Sequence, residues 1–84
     1  MKHILKLKVD DFCEMAEISL DGKYLMSGNF WDFHPGCTND SIKVSEKFGD
    51  FRGYHSLIKA ISETFGKKGE CVELIKEKYN FKKI

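Results

Sequence analysis

"MAEISLDGKYLMS", residues 15–27, is the stretch on which the fold turns. Asp21-Gly22 stands between two β-rich runs. A two-residue link of that composition predicts a type I′ hairpin, whose two central residues both take positive φ. The hairpin sets Leu20 opposite Lys23, Ser19 opposite Tyr24 and Ile18 opposite Leu25, so Ala16, Ile18 and Leu25 share a face. Gly28-Asn29 reads as a bulge or bend after it.

Working outward, "HILKLKV" (3–9) alternates Leu5, Leu7 and Val9 with Lys6 and Lys8, a half-buried strand. "SIKVSEKF" (41–48) resumes alternation with Ile42 and Val44. Strands are therefore expected near 2–9, 14–20, 23–34 and 41–48. The period then changes: Phe51, Tyr54, Leu57, Ile58, Ile61 and Phe65 recur at helical spacing, and Gly66 stops the run. "GECVELIKEKYNF" (69–81) reads as a second helix with Val72, Ile75 and Tyr79 inward. Helices are expected near 54–65 and 69–79. The predicted fold is one α+β domain over residues 1–84: an antiparallel four-stranded meander sheet packed on one face by two C-terminal helices.

The composition suits a folded chain. Of 84 residues, 42% are hydrophobic and 13% aromatic, enough apolar surface to exclude disorder. The formal net charge is +1, so no global field favours nucleic acid, and no strand pairs aromatic with basic residues as RNA-binding sheets do. Nucleic acid is not an expected partner. Charge is uneven along the chain, however. Asp10, Asp11, Glu14, Glu17 and Asp21 lie in a segment without Lys or Arg, while six Lys against three Glu follow Gly66. An acidic segment from Asp10 to Glu17 is one candidate interface.

Three widely spaced cysteines form no CxxC and no even set, which fits a reducing compartment better than a secreted disulfide framework. The first residues lack a continuous apolar stretch, and nothing approaches the length of a membrane span. A cytoplasmic protein without membrane contact is expected.

Two clusters could carry function. "SGNFWDFHPGCTND" (27–40) holds the only Trp and the only Pro. In an extended "FWDFH", Trp31 and Phe33 point to the core while Phe30, Asp32 and His34 point out. Pro35-Gly36 then forms a type II turn. His34-x-x-Cys37 is half of a zinc pattern, but the remaining His and Cys are scattered, so no metal is expected. Asp32, His34 and Cys37 as orienter, base and nucleophile would have to converge within six residues, and a strand holds the first two parallel. No catalytic residue is assigned.

"GDFRGYHS" (49–56) is the second cluster. Arg52 is the only arginine, able to hold an anion bidentately where Lys cannot. With Tyr54 and His55 it lies where strand gives way to helix, and a helix N-terminus attracts anions through its free N–H groups. The glycines match neither GxGxxG nor a P-loop. The candidate binding residues are thus Phe30, Asp32, His34, Arg52 and His55, with no cofactor. The reading reached is a small intracellular protein-binding module, non-enzymatic, such as a toxin-neutralising immunity protein or a phage-encoded inhibitor. Its partner is another protein, and a homodimer is compatible. The alternative is a small-ligand or anion-binding protein using Arg52 and His55 at the helix N-terminus and the Asp32/His34 face.

Overall fold

Alternation in residues 3–9 builds the central strand, β1 (Lys2–Asp10), with Leu5, Leu7 and Val9 buried and the lysines between them on the opposite face. The computed structural model describes residues 2–81; Lys82 and Lys83 of the basic C-terminal segment lie outside the described residues. β2 (Met15–Leu20) returns antiparallel to β1, and β3 (Lys23–Asn29) pairs antiparallel with β2. Asp21 and Gly22 have φ of 52° and 82°, as a type I′ turn requires. A 3₁₀ turn (Phe30–Asp32), α1 (Asn39–Phe48) and α2 (Tyr54–Gly66) follow, and the chain closes with β4 (Cys71–Lys78).

The sheet order is β3-β2-β1-β4, and β4 runs parallel to β1. The architecture is α+β with a mixed four-stranded sheet and two helices, not an antiparallel meander. Residues 30–70 form the long crossover that a parallel pair needs, since no tight turn can join two strands running the same way.

Two elements exchange identity relative to the sequence reading. Residues 41–48, expected as a strand, are α1. Thr38 caps it reciprocally: Ser41 N donates to Thr38 Oγ1 at 3.1 Å, and Thr38 N donates to Ser41 Oγ at 2.8 Å. With that cap in place Ser41, Val44 and Phe48 fall on one buried face, and Ile42 turns to solvent. Conversely, residues 69–79, expected as a helix, supply β4. Val72 and Leu74 fall on the helix-covered side of the sheet, and Glu73, Ile75 and Glu77 on the open side, in register with β1 from Lys2–Cys71 to Val9–Lys78. Pairing satisfies the backbone groups along that side of β1, which no local propensity reveals.

The hairpin register holds at Leu20–Lys23 and Ser19–Tyr24 and then slips, so that Ile18 faces Met26 rather than Leu25. Leu25 is the extra residue of a β-bulge. Met26 thereby enters the core, while Leu25 lies half-buried beside Val44 and Phe48 of α1. Gly28 and Asn29, read as a bulge or bend, stay in the ladder opposite Ala16 and Met15.

One core fills the space between sheet and helices: Leu5, Leu7, Val9, Ala16, Ile18, Leu20 and Met26 from the strands meet Val44, Phe48, Leu57, Ile61 and Phe65 from the helices. Phe33 and Phe51, 1% and 2% exposed, close it at one end. Each of these side chains other than Ala16 contributes about 1.5–3 kcal/mol by leaving water. The open face of the sheet is a lattice of opposite charges. Lys2 bonds Glu73, Lys6 and Lys8 lie 3.8 Å from Glu77 and Glu17, and Lys8 also lies over the Tyr79 ring. That face is solvated and charge-balanced.

Candidate functional site

β3 ends at Asn29 because Phe30, Trp31 and Asp32 coil into a 3₁₀ turn. The coil breaks the two-residue alternation expected of "FWDFH". Phe33 is buried as expected, but Trp31 is 62% exposed and does not enter the core. Asp32 is not on an outer face beside His34 either. Its carboxylate turns back into the loop, accepting from Asn29 Nδ2 at 3.3 Å and Cys37 Sγ at 3.7 Å. His34 is exposed, and its Nδ1 lies 3.3 Å from the Pro35 carbonyl. Gly36 has φ of 86°, as the third position of a type II turn needs.

These bonds bear on chemistry. Cys37 is coupled to Asp32 rather than to His34. Burial and then the adjacent carboxylate push its thiol pKa upward, opposite to what a nucleophile requires. Among the described residues no group of three or more His, Cys, Asp or Glu is arranged to hold a metal ion, and no disulfide is formed.

The crossover brings the two sequence clusters together. Gly53 N donates to the Phe33 carbonyl at 2.6 Å. The Tyr54 ring packs against Phe30 and Phe33 at centroid distances of 5.2 and 6.1 Å, and His55 lies against Tyr54 at 4.3 Å. His34 and Arg52 line one open cleft of about 450 Å³ with Pro35, Asp50 and Phe51. Of the five candidate residues, His34 and Arg52 share a cleft and Phe30 and His55 flank Tyr54, while Asp32 is committed inside its own loop.

The same end of the sheet carries features whose roles the sequence reading did not identify. Asp10, 5% exposed, organises it. Its Oδ1 accepts from Phe12 N at 3.0 Å and Cys13 N at 3.1 Å, and its Oδ2 accepts from Phe81 N at 3.0 Å. The bond from Cys13, with those from Phe81 and Phe12, holds its carboxyl below the usual range. Phe30 N donates to the Glu14 carbonyl and Tyr79 N to the Val9 carbonyl, both at 2.8 Å. The β1–β2 turn, the end of β3 and the end of β4 are thus laced into one rim.

Along that rim stand Phe12, 94% exposed, Trp31 and Tyr79. An aromatic inside a four-residue turn between two strands has no sheet face to enter, and that was the available signal for Phe12. The acidic segment, by contrast, largely dissolves. Asp10 is buried, Asp21 is bonded to His3, Glu17 faces Lys8, and Asp11 and Glu14 remain exposed.

No protein-family model matches the chain, and neither a curated protein nor a solved structure matches it. Among the described residues no helix is long and apolar enough to cross a membrane.

Proposed function

We propose that this protein acts by binding another protein, without catalysis, and that the aromatic rim is its recognition surface. The observation that carries the reading is Phe12, held 94% exposed on a turn that Asp10 fixes through two backbone bonds. A ring projected into water from a rigid turn contributes little to the stability of its own fold. The backbone that carries it is already ordered, so a partner that covers the ring gains apolar burial at the cost of side-chain rotamer freedom alone. Trp31 and Tyr79 extend the surface across the sheet end. A fully buried aromatic removes about 150–250 Å² from water; Phe12, Trp31 and Tyr79, 94%, 62% and 47% exposed, together offer about two rings' worth, about half of the roughly 800 Å² that a stable interface takes from each partner.

Within that class the reading is a cytoplasmic inhibitor or immunity protein, toxin-neutralising or phage-encoded, whose small rigid body blocks a larger target. An odd number of widely spaced cysteines with no CxxC supports a reducing compartment. The test is affinity capture from native lysate under reducing conditions. Wild type and an open-face variant, Ser19→Ala, should retain the same target, and Phe12→Ala/Trp31→Ala should lose it while keeping its circular-dichroism spectrum.

A second reading is favoured by a separate observation. His34 and Arg52 share a cleft beside α2, whose N-terminus has no side-chain cap, an arrangement that suits a phosphate or nucleotide. Asp50 in the same cleft opposes it. Phosphate titration that moves the His34 and Arg52 resonances, with loss in Arg52→Lys, would support this reading.

A further inference from the structure

We propose that the free edge of β4 pairs with the same strand of a second copy, antiparallel and centred on Leu74, to give one eight-stranded sheet. The inference is independent of the rim and does not use it.

The two edges of the sheet differ. β3 carries the Leu25 bulge, a device that discourages edge pairing. β4 has neither Pro nor Gly within it, runs eight residues, and keeps an unshifted register along β1. Among the described residues no strand pairs with its outer side. Leu74 and Ile75 stand 45% and 36% exposed there, apolar groups on a straight edge whose outward N–H and C=O groups can template another strand.

Charge selects the partner and the register. A two-fold axis perpendicular to the sheet pairs residues of the same face, so it must pass through a residue. Centring on Glu73, Lys76, Glu77 or Lys78 sets a like charge against itself. Centring on Ile75 sets Glu73 against Glu77 twice. Centring on Cys71 or Val72 leaves most of β4 facing the turn that precedes it. Centring on Leu74 puts Leu74 on Leu74, Val72 against Lys76, Glu73 against Ile75 and Cys71 against Glu77. It also sets Lys78 across from Glu70 of the partner subunit, twice by symmetry. This arrangement pairs seven strand residues with no like charges opposite and adds a complementary pair at each end. The operation keeps all helices on one side and sends the two rims to opposite ends, leaving both open.

Sedimentation equilibrium under reducing conditions should give twice the 9.7 kDa chain mass, and Leu74→Lys should return the single-chain mass with an unchanged circular-dichroism spectrum. In a background with Cys13, Cys37 and Cys71 replaced by Ser, Leu74→Cys should oxidise to a covalent dimer and Ile75→Cys should not. Phe12→Ala/Trp31→Ala should remain dimeric, so loss of the rim reading and loss of this one are separable. A single-chain mass for wild type at several hundred micromolar, a dimer indifferent to Leu74→Lys, or cross-linking through Ile75→Cys would overturn the proposal.

Discussion

His3 Nε2 lies 2.5 Å from Glu70 Oε1, so the first strand of the chain is joined to the loop that leads into the last. The other ring nitrogen, Nδ1, lies 2.7 Å from Asp21 Oδ2, and the ring stacks on Phe65 at 3.9 Å. With a carboxylate at each nitrogen, the imidazolium form satisfies both. One side chain thus ties β1, the β2–β3 turn and the entry to β4 together. Asp21 Oδ1 completes the tie by accepting from Ile4 N at 2.8 Å.

A pH optimum follows from this clamp. Hydrogen bonds to Asp21 and then Glu70 raise the His3 pKa above its ordinary 6.5. Its contribution is therefore complete below pH 6.5 and is lost as pH rises through the folded value. The bond from His3 lowers the pKa values of Asp21 and Glu70 below their ordinary 3.8 and 4.5. Their contribution is complete above those values and is lost as pH falls through the lowered ones. The clamp is fully formed between pH 4.5 and 6.5. Thermal melts should give a maximum in that window and a decline at higher pH, and His3→Gln should flatten that alkaline decline.

The two large aromatics flanking Asp32 should respond oppositely to truncation. Phe33→Ala empties a site 1% exposed and should cost about 3–5 kcal/mol, enough to unfold much of a chain this small. Trp31→Ala removes a ring that is mostly in water and should change stability by no more than about 0.5 kcal/mol. Urea midpoints of the two variants decide between this placement and a buried Trp31.

Glycine substitutions probe backbone conformation without packing. At Gly22, φ is 82° and an added Cβ meets nothing within 4 Å. Gly22→Val should therefore lose about 1–3 kcal/mol to strain alone. Gly66 also has open space but a helical backbone, so Gly66→Ala should gain about 0.4–1 kcal/mol. Equal effects at the two sites in chemical denaturation would contradict the type I′ turn.

What the sequence made legible was local. Asp21-Gly22 announced its turn because few residues tolerate positive φ, and Leu57, Ile61 and Phe65 declared a helix by spacing. "SIKVSEKF" fits both periods, since Ile42 and Val44 lie two apart and Val44 and Phe48 four apart. The Thr38–Ser41 cap decides it. "CVELIKEK" fits both as well, and there the unpaired side of β1 decides, a partner some seventy residues away in the chain. Of the site, His34 and Arg52 could be named but not joined, because only the crossover sets residue 33 beside residue 53. Trp31 was misplaced for a simpler reason: one 3₁₀ turn cancels the alternation that would have buried it.

Photo-crosslinking tests the recognition surface most directly. A photoreactive phenylalanine analogue placed at position 12 should yield one discrete adduct with a second protein in native lysate, and the same analogue at position 19 on the open face should yield none. An adduct formed from position 19 and absent from position 12 would contradict the rim.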